Sequence, residues 1–203
     1  MADILSIGGE PIFDDRIVKI ETHTYNPYAN TTFGHGDEIR IPIQQQDLYT
    51  LPRESFLYIE GVFSDDDVPE TNSDTTTDNN CVAFMFDEIR YELNGVEIDR
   101  NRNVGITSSI KNFVSLTAER SRKLQNAGWT VIKENVGPRS RFKIGDFNFC
   151  IPLNVLLGFC KDYKRVVINA RHELILIRSR NDTNCIITKP ERHKNPMITL
   201  LKV

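Results

Sequence analysis

The sequence predicts an all-β fold, a sandwich or barrel of roughly eight to ten strands. Three observations carry that expectation. Short runs rich in Val, Ile, Phe and Tyr recur along the chain, and several alternate between apolar and polar residues. Turn residues such as Asn94-Gly95 separate them. Helical spacing is confined to one insert and one short segment. At 203 residues the chain is long enough to bury a core of its own.

Residues 17–24 (IVKIETHT) place Val18, Ile20 and Thr22 on one side and Lys19, Glu21 and His23 on the other, the pattern of a strand. Residues 37–44 put Ile39, Ile41 and Ile43 on one face, and Pro42 marks that run as an edge or bulged strand. Residues 55–63 (SFLYIEGVF) form a β-branched and aromatic run. Residues 82–93 set Val82, Phe84 and Phe86 on one face, then shift phase to Ile89, Tyr91 and Leu93. A β-bulge near Asp87-Glu88 would produce that shift. Further strands are expected at 141–152, at 165–179 with a turn near Asn169-Ala170, at 184–188 and at 196–203.

The insert over 106–128 is helical. Ile106, Ile110, Phe113 and Val114 recur at helical spacing, Thr117 is placed to cap a second helix, and Gly128 suits a left-handed C-cap. Arg120, Arg122 and Lys123 fall late in that helix, where cations favour the dipole; they form a solvated face, a protein contact or a nucleic-acid contact. A short helix is also expected around Asn154 to Phe159. Trp129, the only Trp, follows the Gly128 cap as a packing anchor. Residues 64–80 carry six acidic and no basic residues, a solvated mobile loop. Residues 1–16 form an N-terminal arm, and no linker divides the chain, so 1–203 is expected to be a single domain.

Composition narrows the functions. Residues 1–100 carry a net charge of −15 and residues 101–203 one of +12, which invites complementary contacts within or between copies. No apolar run approaches the ~18 residues of a membrane span. The N-terminal residues lack the basic region and apolar core of a secretory signal. The sequons at Asn30 and Asn181 are therefore expected to be polar loops. Cys81, Cys150, Cys160 and Cys185 are far apart, without a CxxC pair, and are expected as buried free thiols rather than zinc ligands.

Catalytic patterns are missing. His23, His35, His172 and His193 are scattered, with no HxH for a cupin-type metal site, and are expected at the surface or in loops. No GxSxG, Walker loop, HExxH or GxGxxG occurs. Asp65, Asp66 and Asp67 lack the spacing and Gly of a calcium loop. The remaining candidate is a carboxylate pair. A two-residue turn at Asn94-Gly95 would pair Leu93 with Val96, Glu92 with Glu97, Tyr91 with Ile98 and Arg90 with Asp99. Tyr91, Leu93, Val96 and Ile98 would then face the core, and Glu92 and Glu97 would share the outer face, about 5 Å apart. Retaining glycosidases hold their carboxyls at such a distance, but in a cleft with two distinct environments. On an open ribbon the pair is expected to be solvated or to meet a basic partner surface. No catalytic, cofactor-binding or metal residue is assigned.

Three segments, IPIQQQDLYTLPRESFLYIEG (41–61), FDEIRYELNGVEIDRNRNVGITSSIKNFVSLT (86–117) and FNFCIPLNVLLGFCKDYKRVVINARHELILIRS (147–179), carry a resemblance. They are similar to the first half of double jelly-roll major capsid proteins, in the versions found in insect genomes and in Maverick/Polinton-type virus-like elements. The resemblance implies an eight-stranded jelly-roll sandwich of two four-stranded antiparallel sheets. It also implies a second jelly roll downstream and pseudo-hexagonal trimers tiling a shell. The chain holds one barrel only, so either a second barrel has been removed or this is a single-barrel relative. The function it implies is a structural, non-catalytic capsid or capsid-derived protein without cofactor. Its partners would be other copies, as trimers or hexamers of barrels, and other capsid proteins, without sequence-specific nucleic-acid binding. It would reside in a virion capsid, or in host cytoplasm or nucleus. The alternative is a domesticated binding module, lectin- or cytokine-like, acting as a monomer or small oligomer.

Overall fold

A computed structural model describes residues 17–29, 31–44, 48–65, 76–129, 145–187 and 196–203. Two antiparallel sheets face each other across one core. The first has four strands: β1 (Glu38–Ile43), β5 (Phe86–Leu93), β6 (Val96–Arg102) and β9 (His172–Arg178), in the order β1-β9-β5-β6. The second has three: β3 (Phe56–Asp65), β7 (Gly145–Pro152) and β11 (Pro196–Lys202), with β3 in the middle. Two small ribbons flank them. One pairs β2 (Tyr49–Thr50) with β8 (Val167–Ile168), the other β4 (Thr76–Thr77) with β10 (Ile186–Ile187). Both chain halves supply strands to both sheets, so the opposed charges of the halves are mixed by the topology.

Period-2 patterning builds the core. Ile39, Ile41, Ile89, Tyr91, Leu174 and Leu176 point inward from the first sheet, and Leu57, Ile59, Phe63, Phe147, Phe149 and Ile151 from the second; all belong to one buried cluster. β9, central in its sheet, is buried along nearly its whole length. β1 lies at the edge, as Pro42 demands, because proline has no N–H to offer a further strand. β5 slips its register on β9 between Phe86 and Glu88, which places the expected bulge at Asp87. Asn169, with φ 49°, makes the turn between β8 and β9.

Among the described residues five helices lie between strands: α1 (Cys81–Phe84), α2 (Val104–Ser115), α3 (Ala118–Lys123), α4 (Leu153–Leu156) and α5 (Gly158–Asp162). Thr117 caps α3 by accepting the Arg120 N–H at 3.3 Å. Gly128, with φ 78°, ends the following 3-10 turn in the left-handed region. Gly105 lets α2 approach the body closely, since a Cβ there would collide with the Phe84 ring.

Several expectations need correction. Residues 17–24 form no strand. Alternation alone makes no strand without a paired neighbour, and the chain meets β1 only further on, where the Tyr28 N–H donates to the Arg40 carbonyl at 3.3 Å. Residues 81–84 are helical rather than extended, because Asn80 turns the chain at φ 62° and its carbonyl accepts the Ala83 N–H. The acidic segment is shorter than 64–80. Ser64 and Asp65 pair with β11, and Thr76 and Thr77 pair with β10. Residues 66–75, the arm 1–16, and the 141–144 and 188 ends of two expected strands lie outside the described residues. Among the described residues the second sheet has three strands rather than four.

Candidate functional site

The Asn94-Gly95 turn forms as expected, with φ of 51° and 77° at its two residues. Leu93 pairs with Val96 and Glu92 with Glu97. Beyond that the register departs from a plain hairpin. An extra residue in β6 shifts it, so Tyr91 stands opposite Asp99 and Arg90 opposite Arg100. Val96 and Ile98, expected in the core, are 61% and 44% exposed, and Ile98 is the extra residue of the bulge. The bulge turns two polar residues inward instead. Asp99 accepts the Phe159 N–H at 2.8 Å, holding the start of α5, and Asn101 donates to the Leu156 carbonyl at 2.9 Å.

Glu92 and Glu97 belong to an ordered outer face. In register, Glu97, Glu92 and Glu173 form one row across β6, β5 and β9. The next row holds Arg100, Arg90, Ile175 and Arg40, and the third holds Arg102, Glu88, Ile177 and Glu38. Ion pairs stitch the rows: Arg90 to Glu38 and to Glu88 at 3.1 Å each, Arg102 to Glu88 at 3.0 Å, Arg40 to Glu38 at 2.5 Å, and Arg100 to Glu97. The hydrogen bond that Arg40 donates to Glu38 is the leading cause of its raised pKa, and the one Arg100 donates to Glu97 does the same there. Ile175 is fully buried between Arg40 and Arg90, whose aliphatic stems flank it.

An open hollow of about 470 Å³ lies at the turn, lined by Arg40, Glu92, Asn94, Gly95, Arg171 and Glu173. It carries two cations, Arg40 and Arg171, against two carboxylates, Glu92 and Glu173. Of the carboxylates Glu173 is buried and Glu92 half-exposed, and the hollow is open to solvent.

The other sequence candidates are dispersed. His23 contacts Glu21 at 3.4 Å on the exposed N-terminal segment. His35 pairs with Asp182 at 3.0 Å. His172 corrects the expectation of a surface residue: it is buried on β9, its Nδ1 2.7 Å from the Tyr91 hydroxyl and its Nε2 2.9 Å from Thr50 Oγ1. Burial lowers its pKa. His193, Asp66 and Asp67 lie outside the described residues. Among the described residues no three His, Cys, Asp or Glu side chains gather as a metal site. The four cysteines are free; burial pushes the Cys81 and Cys160 thiols up to about 12 and raises Cys185 further, so these three are inert at neutral pH.

Sequence reasoning missed the buried ion pair at the end of β9. Arg178 and Asp182 are both buried and bonded to each other. Arg178 also donates to the Met85 carbonyl at 2.8 Å, while Asp182 accepts the Ile198 N–H at 3.2 Å. The pair thus ties β9, the end of α1 and the β11 edge together. Arg178 continues the inward phase of Leu174 and Leu176, which was the available signal.

The helical insert shows an inverted pattern. The apolar stripe of α2, Ile106, Ile110, Phe113 and Val114, points outward, with exposures between 56% and 82%. Its inner face is Val104, Gly105, Ser108 and Asn112. Polar bonds hold that face down: Asn80 Nδ2 donates to Ser108 and Ser109 Oγ at 2.9 Å each, and Lys111 donates to the Asn154 carbonyl at 3.1 Å. Trp129 is buried beside it, donating to Ser121 Oγ at 3.3 Å and meeting Phe113 edge-on, which bears out the packing-anchor expectation.

A family model described as a double jelly-roll-like domain matches residues 75–203. No curated protein is significantly similar to the sequence. Among solved structures, VP54 of the virus PBCV-1, fitted into a cryo-EM reconstruction of the virophage Sputnik, is 10% identical with a TM-score of 0.45, covering 92% of this chain and 45% of that one. A quasi-atomic model of the PBCV-1 capsid is 13% identical with a TM-score of 0.39, covering 90% of this chain and 43% of that one. The chain spans less than half the length of these structures.

Proposed function

Since the chain belongs to the double jelly-roll-like domain family, we propose that it is a structural, non-catalytic building block of a capsid-type shell, associating with further copies of itself. The observation that carries this reading is the outward apolar stripe of α2, four large side chains in a row on one helix whose inner face is held by polar bonds. A soluble monomer gains nothing from such a row, whereas a subunit interface uses it as its dry centre. The outer face of the second sheet supports the same reading, with Phe56, Tyr58, Met197 and Leu201 exposed. A contact of about 1,200 Å² or more is needed for specific association, and two such faces offer room for it. The charge rows of the first sheet then serve solubility and register at subunit edges rather than acid–base chemistry. Its place would be a virion shell. Light scattering and negative-stain electron microscopy test the reading: rings, trimers or shells are expected, and a strict monomer at high concentration would contradict it.

A further inference from the structure

Two features of the α2 surface define what can cover it. Its stripe is apolar, and α3, next along the chain, exposes Arg120, Arg122 and Lys123, the last paired with Glu119 at 3.6 Å. The matching ligand is a segment that is apolar and acidic together. Residues 1–16 have that composition: Ile4, Leu5, Ile7, Ile12 and Phe13 stand among Asp3, Glu10, Asp14 and Asp15. The acidic residues 66–75 do not match, because only Val68 and Pro69 there are apolar.

The path of the chain says from where that segment comes. Tyr25 packs against the core. Read backward from it, residues 17–24 are all exposed, with Val18 at 95% and Ile20 at 82%. Lys19 pairs with Glu21, and Glu21 with His23, the same-face spacing of an extended chain. Residues 17–24 therefore run clear of the core, and a sixteen-residue segment can span at most ~50 Å.

We propose that residues 1–16 of one copy dock on the α2 stripe of a second copy, their acidic residues meeting Arg120, Arg122 and Lys123. This rests on the self-associating reading above and names its contact. The stripe supplies the apolar seat, and the basic residues orient the arm, so the contact weakens with salt.

Cross-linking tests it in the full chain. Ile110 is replaced by photoreactive p-benzoylphenylalanine at a site exposed enough to spare the fold, and this protein is mixed with isotope-labelled wild type. The expected product joins position 110 of one isotopic form to residues 1–16 of the other. Its yield should fall about tenfold when Arg120, Arg122 and Lys123 are all changed to Glu. Cross-links only within one isotopic form, to another segment, or absent altogether would overturn the docking. Electron microscopy of the same sample separates the two readings. Assemblies with cross-links elsewhere sink the docking and leave the shell reading intact; neither assemblies nor cross-links contradicts both.

Discussion

Strand β5 and helix α2 are neighbours in sequence with opposite surfaces. β5 sends Phe86, Ile89 and Tyr91 inward and Glu88, Arg90 and Glu92 outward, and its charges are largely paired across adjacent strands. α2 bonds its polar residues inward and leaves its large apolar residues outside. The sheet face balances most of its charges within one chain, while the helix leaves a row of apolar side chains in solvent. Under the proposed function the second pattern, not the conspicuous charges of the first, marks the partner interface.

The deepest break in that contrast comes from the buried pair behind the sheet. Asp182→Ala leaves the Arg178 guanidinium buried and uncompensated, and should lower unfolding stability by about 3–5 kcal/mol. Urea unfolding reads this as a shifted midpoint with an unchanged slope. Next is the polar seat of α2. Asn80→Ala removes two buried hydrogen bonds at a left-handed residue and should cost about 2 kcal/mol, with hydrogen exchange rising first in α2.

The sheet interior should also show a pH dependence below neutrality. Burial depresses the folded pKa of His172 below its ordinary value of 6.5. The unfolded chain therefore binds the proton more readily. Stability from this group is complete above 6.5 and is lost as pH falls through that value toward the folded pKa. His172→Gln should flatten the stability profile in that window. The smallest effect belongs to the carboxylates at the turn. Glu92→Gln and Glu97→Gln should each change stability by less than about 0.5 kcal/mol. Glu92→Gln should be the more favourable, because Glu92 stands in register between Glu97 and Glu173. A larger loss in either variant would mean that the row is held by more than its surface ion pairs.

Local chemistry made much of this legible in the sequence. Asn94-Gly95, the Asp87 bulge, the Thr117 cap and the Gly128 terminus follow from backbone preferences that act over a few residues. What failed depends on distant partners. Residues 17–24 have the alternation of a strand but pair with no strand among the described residues. The β6 bulge that exposes Ile98 and turns Asp99 inward answers the N–H of Phe159, sixty residues away in sequence. His172 is buried because Tyr91 and Thr50 converge on it, and Arg178 because Asp182 does. For the surfaces, the spacing of Ile106, Ile110, Phe113 and Val114 showed a helix but not which way its stripe would face. That direction is set by Gly105 against Phe84 and by Asn80 against Ser108.

Sedimentation velocity of the 203-residue protein beside its Ile110→Ser/Val114→Ser variant, over a range of concentrations and two salt levels, weighs the contrast most directly. Both residues are exposed, so the variant should unfold at the same urea concentration as the wild type. The wild type should sediment as concentration-dependent oligomers that weaken with salt, and the variant as a monomer. Equal sedimentation of the two proteins, whether both associate or both stay monomeric, would contradict the assignment of α2 as the surface that a second copy completes.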